Sequence, residues 1–185
     1  MLLAPALLLA QDKADEARLY AYQVHQHKAQ LVMLREQGLV SESLARQLAR
    51  AIVEADRETR AEVVPLREDY FAFERRLVAK VGPEASKLHM GRSNNDMGAT
   101  SERLFMRDDA LEILEGLARA RQALLDLAEN NVETIVPGYT QMVQAQPTTL
   151  AHQLAAFVSA MERDEQRIRE AYGRIDASAL GVAAF

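Results

Sequence analysis

The sequence predicts an all-α fold, and three observations carry that expectation. Apolar residues recur at helical spacing almost throughout the 185 residues. Glycine (8) and proline (5) are too few for the tight turns of a β-sandwich or barrel. Aromatic residues make up only 5% of the chain, while 49% is hydrophobic and 26% charged, a balance that buries a core without the ring-rich strands of β-proteins.

Taken in order, the first helix carries Tyr20, Val24, His27, Leu31 and Leu34 on one face, with Asp12 as its start cap and Gly38 just past its end. The apolar run Met1 to Ala10 has no basic residue and contains Pro5. At about ten residues it is too short to cross a bilayer, so it reads as a buried or frayed first segment. A second helix starts near Ser41, turns Leu44, Leu48, Ile52, Ala55 and Val63 inward, and ends or bends at Pro65. A shorter one, from Asp69 to Lys80, presents Phe73 and Leu77 before Gly82-Pro83 breaks the pattern. Glu84 to Met90 has no period and reads as a loop.

A long helix follows, from Ser93 to Asn131, with Leu104, Leu111, Ala118 and Leu125 repeating every seventh residue. At 1.5 Å per residue it is about 57 Å long, more than a globule of this size needs, which suggests a bundle shared between subunits. Asn130-Asn131 and Pro137-Gly138 mark a second loop. A last helix has Pro147 in its first turn and Leu150, Leu154, Val158, Met161, Ile168, Tyr172 and Ile175 on its apolar face. Because the chain stops on Ala183-Ala184-Phe185, it is expected to be cut in mid-fold.

Composition narrows the function classes. With no cysteine there is no disulfide, thiolate zinc site or cysteine nucleophile, which fits a reducing cytoplasm. A net charge of −5 argues against general affinity for nucleic acid or anionic membranes.

Two segments carry the chemistry. In Gly91-Arg92-Ser93-Asn94-Asn95-Asp96, polar side chains gather where the long helix begins, and Ser93 with Asp96 forms a capping-box-like pair. A helix N-terminus with a neighbouring arginine suits a carboxylate or phosphate. A plain cap beside a surface arginine explains the same spacing. The second segment, Pro137 to Pro147, holds Tyr139, Thr140, Gln141, Gln144 and Gln146, which orient a polar ligand or satisfy a turn. His25 and His27, two apart, face different sides of a helix and are no metal pair. His89 and His152 read as structural.

In order and wording the two segments resemble the fumarase/aspartase superfamily, and within it the argininosuccinate lyase family. That family opens a central helix with Gly-Arg-Ser-Arg-Asn-Asp-Gln-x-Ala-Thr, which stands here as Gly91 to Thr100, and the Pro-Gly-Tyr-Thr-His-x-x-x-Ala-Gln-Pro region stands as Pro137 to Pro147. Thr149-Leu150-Ala151-His152, Ser178-Ala179-Leu180-Gly181 and the first helix extend the likeness over nearly the whole chain.

The resemblance implies an N-terminal helical domain over 1–90, and over 91–185 the first long helices of a central bundle. The expected activity is elimination of an amine from an N-substituted aspartate to give fumarate, without metal or organic cofactor, in a homotetramer in the cytoplasm. Ser93, Asn95 and Thr140 would bind the substrate carboxylate, Arg92 would brace the loop or meet substrate charge, and His27 matches a substrate-contact position, although a core or interface histidine fits it equally.

Gln141 stands where the family has its acid histidine, and an amide does no acid–base work near pH 7. Asn94 and Met97 replace the family's arginine and glutamine, which favours an N-substituted aspartate other than argininosuccinate. The family's catalytic serine loop, with its lysine and asparagine, falls beyond residue 185. No catalytic residue is therefore assigned here, and the chain by itself is expected to be inactive. The second reading, favoured by Gln141 and the missing base, is a non-catalytic helical scaffold or oligomerisation protein derived from the lyase fold.

Overall fold

Among the described residues helices form where the apolar spacing places them, and a 3-10 helix and a β-hairpin form where the sequence reads as loop. The computed structural model describes residues 4–61 and 70–180. Among them run α1 (Ala4–Glu36), α2 (Glu42–Arg60), α3 (Tyr70–Val81), a 3-10 helix (Pro83–His89), α4 (Asn94–Glu129), strands β1 (Ile135–Thr140) and β2 (Val143–Thr149), and α5 (Leu150–Ile175). Val63, Pro65, Asp69, Gly181 and the terminal Ala183 to Phe185 lie outside the described residues, as do the side chains of Met1 to Ala10. The chain forms two compact units, residues 1–105 with 178–185, and residues 106–177.

The first unit holds the core. Tyr20, Val24, Leu31 and Leu34 of α1 meet Ala45, Leu48, Ala51, Ile52 and Ala55 of α2, with Phe73 and Leu77 from α3 and Ala85 and Leu88 from the 3-10 helix. Fully burying each large aliphatic side chain contributes about 1.5–3 kcal/mol. Gly38, at φ 69°, ends α1 in the left-handed region. Its N–H donates to Arg35 O and that of Leu39 to Leu34 O, the crossed pair of a Schellman cap. Ser41 then caps α2, its side chain accepting from Leu44 N. Arg76 of α3 ties the end of α2 by donating to Ala55 O, Thr59 Oγ1 and Glu58. Donation from Lys80, and then from Arg76, holds the Glu58 carboxyl below its usual range.

The second unit, residues 106–177, is lightly buried. Of its hydrophobic residues only Ala128 and Val158 are enclosed. Ion pairs link its two helices: Arg121 of α4 contacts Glu162 and Glu165 of α5, and Arg107 contacts Asp176 at 2.9 Å and Tyr172 Oη.

Four local expectations change. Asp12 is no cap, because α1 already runs from Ala4. Pro5 falls in its first turn, where no helical N–H is needed, so the apolar lead-in stays helical. Glu84 to Met90 is not a loop: it lies largely in the 3-10 helix, with Ala85 and Leu88 buried under it. The second loop is an antiparallel hairpin. Pro147 accordingly sits in β2, and α5 starts at Leu150 with Thr149 as its cap, accepting from His152 N.

Candidate functional site

The chain reverses at Gly91, φ 71°, and enters α4 through Arg92 and Ser93. There the Ser93 N–H donates to Asp96 Oδ2 at 3.2 Å while Asp96 N–H donates to Ser93 Oγ at 3.2 Å. This reciprocal box satisfies two donors that a helix start leaves without backbone partners. The Ser93 hydroxyl accepts in that box, so its proton is available to a ligand. Asn94 and Asn95 are exposed, and neither side chain hydrogen-bonds another described residue. The α4 start therefore offers a hydroxyl, two amides and the positive end of a 36-residue helix.

Behind this face stand two buried groups. Arg92 is 6% exposed and donates from Nη2 to Leu88 O at 2.7 Å. The same nitrogen lies 3.4 Å from His27 Nδ1. His27 is stacked on Phe73, ring centroids 4.6 Å apart and planes 2° from parallel. Burial, then the nearby Arg92 charge and His89, push the His27 pKa down to about 3. His27 is thus neutral near pH 7, with Nδ1 placed to accept from Arg92. At that pKa the imidazole carries no imidazolium proton near pH 7 and is a poor general acid. His89 is also lowered, chiefly by burial and next by Arg92, whereas His152 is exposed at the start of α5.

Within the second unit, Thr140 and Val143 pair to close the hairpin around Gln141 and Met142, at φ 48° and 64°. Two successive left-handed residues make a two-residue I′-type turn, usually given to Asn-Gly. Each non-glycine residue there costs roughly 1–3 kcal/mol, a strain that accompanies functional positions. Thr140, Gln141 and Met142 are all exposed, the last at 97%. Two residues of β2, Ala145 and Gln146, bulge opposite Gly138. A Cβ at Gly138 would meet Gln146 O at 2.9 Å. Gly138→Ala is expected to lower thermal stability by about 1–3 kcal/mol, with hairpin amide shifts moving in NMR and those of residues 45–55 staying fixed.

The structure brings His27, Arg92, Ser93, Asn94 and Asn95 together in one unit and Thr140 with Gln141 on the hairpin of the other. Gln26 and Gln30, which the sequence reading passed over, belong to the first cluster. Gln26 Nε2 donates to Met97 O and Ser101 Oγ, and Gln30 Nε2 donates to Met90 O. Their spacing around His27, one turn apart on the same helix, is the signal available in the sequence. Among the described residues no three histidine or acidic side chains gather as a metal site. No helix among them is long and apolar enough to cross a membrane.

A family model described as lyase matches residues 12–185. The chain belongs to this lyase family. Argininosuccinate lyase of Natronomonas pharaonis is 35% identical over 181 residues, covering 98% of this chain and 37% of the relative. That of Methanosarcina barkeri is 41% identical over 159 residues, covering 85% and 32%. An EDDS lyase solved in complex with formate superposes with a TM-score of 0.85 at 31% identity, over 91% of this chain and 34% of that one. A variant of EDDS lyase with bound fumarate gives 0.84, again at 31% identity. The chain thus has the fold of the fumarase/aspartase superfamily, and it spans about a third of the length of these relatives.

Proposed function

We propose that this chain belongs to an enzyme that eliminates an amine from an N-substituted aspartate to give fumarate, using residues 1–185 as its carboxylate-recognition part. The observation that carries the reading is the start of α4, where the reciprocal Ser93–Asp96 box leaves the Ser93 proton and the Asn95 amide available on a helix N-terminus. Removing the proton next to a carboxylate builds a second negative charge on that group. Fixed donors aimed at it stabilise the charge with little rearrangement. Ser93, Asn95 and Thr140 take that role. Asn94 and Gln141 are neutral amides where the family has an arginine and a histidine, which favours an amine of lower charge than the guanidino group of argininosuccinate. Arg92 and His27, buried against each other, support the turn from behind.

The base is supplied outside residues 1–185, as are further helices of a homotetrameric bundle. The 1–90 helical domain, the 91–185 first part of a central bundle and a cytoplasmic location belong to the same reading. Fumarate and succinate titrated into the chain are expected to raise its thermal midpoint, and Asn95→Ala is expected to weaken that effect roughly tenfold in ligand concentration. A midpoint indifferent to both diacids would contradict the reading and favour the non-catalytic scaffold.

A further inference from the structure

The face of α1 that looks at the motif is polar where a helix in a core is ordinarily apolar. Gln26 is only 5% exposed, in a stretch that also buries Tyr20, Tyr22, Val24 and Leu31. Its Nε2 donates to Met97 O at 3.2 Å and Ser101 Oγ at 2.8 Å, so both amide protons are used on α4. Its Oε1 is buried with no hydrogen-bond partner among the described residues. A buried acceptor left unmatched disfavours folding, so stability alone does not account for a glutamine here. Packing alone would be served by leucine.

One turn along the same helix, Gln30 Nε2 donates to Met90 O at 2.9 Å. Between them His27 faces Arg92. The three side chains thus grip residues 90–92 before the motif and 97–101 after it, and Ser93 to Asp96 lie in between. This grip holds the backbone of the first α4 turn, which carries Ser93 and Asn95.

We propose that Gln26 is a positioning residue for carboxylate binding, acting through Met97 and Ser101 on Ser93 and Asn95. Its consequence for binding rests on the carboxylate reading above, whereas its mechanical part does not. Gln26→Leu keeps a branched side chain of similar bulk, one atom shorter, and removes both donors. Amide hydrogen exchange in residues 96–101 is expected to quicken about tenfold, while that of residues 48–55 stays unchanged. The dissociation constant for fumarate, followed by amide shifts, is expected to rise by a similar factor, and Gln26→Leu placed on Asn95→Ala is expected to add no further loss.

Should Gln26→Leu not fold, Ser101→Ala removes the shorter bond without adding bulk and is expected to act in the same direction. Unchanged exchange at 96–101, an equal rise throughout, or local loosening with fumarate affinity intact each overturns the proposal. If the unsubstituted chain binds no fumarate, the carboxylate reading fails, and the exchange pattern alone decides whether Gln26 holds α4.

Discussion

Replacing His27 with glutamine is expected to remove much of the chain's loss of stability in mild acid. Burial first, then the charges of Arg92 and His89, lower the folded-state pKa to about 3 from an ordinary value of 6.5. Between those values the unfolded chain binds a proton that the folded chain refuses, so stability falls as pH falls through the window and is restored above about pH 6.5. At pH 5 the cost is about 2 kcal/mol, from ~1.4 kcal/mol for each unit below 6.5. Glutamine has no proton to take up, and its carbonyl can still accept from Arg92. Urea unfolding of both chains at pH 7 and pH 5 measures the difference. Equal acid losses would show that His27 is protonated in the folded state or that its burial is incomplete.

Phe73→Ala is expected to cost about 3–5 kcal/mol, the largest effect of a single side chain here. Phe73 is buried in the core of the first unit and covers one face of the His27 ring. Its removal leaves a cavity and lets water reach the imidazole, so the His27 pKa is expected to rise toward 6.5, as NMR titration would record. Phe71, two residues earlier and 57% exposed, supplies the comparison: Phe71→Ala is expected to change stability by under about 0.5 kcal/mol. Equal losses at the two positions, or an unmoved His27 pKa, would contradict the assignment of Phe73 as the lid of this histidine.

The legible parts of the molecule are those in which a strong local rule and burial agree. Leu48, Ile52 and Ala55 follow helical spacing and are buried on α2, and Phe73 with Leu77 does the same on α3. Gly38 and Ser41 sit where a C-terminal glycine and an N-terminal hydroxyl belong, and both caps form. The Ser93–Asp96 box was readable because capping is local chemistry.

The hairpin was not readable. Its strands are exposed along nearly their whole length, so no face is buried and no alternation of apolar and polar residues was needed. Its turn is Gln-Met rather than Asn-Gly, and its two prolines, paired across the ladder, look like loop punctuation. The seven-residue repeat of α4 shows a different limit. Leu111 and Leu125 share the pattern of buried positions yet are 46% and 42% exposed, since periodicity records which face is apolar and not what covers it. His27 shows the same limit in the site: its place in an apolar stripe was visible, whereas its ring on Phe73 and its nitrogen facing Arg92 depend on contacts 46 and 65 residues away.

The most direct test of the lyase account is to assemble this chain with the remaining part of one of the matched argininosuccinate lyases and to follow fumarate by ultraviolet absorbance. A panel of N-substituted aspartates should include argininosuccinate and neutral amine derivatives. The account predicts fumarate from at least one neutral derivative, and loss of most of that rate in Ser93→Ala and Asn95→Ala. A co-assembled complex that releases no fumarate from any of them would contradict it.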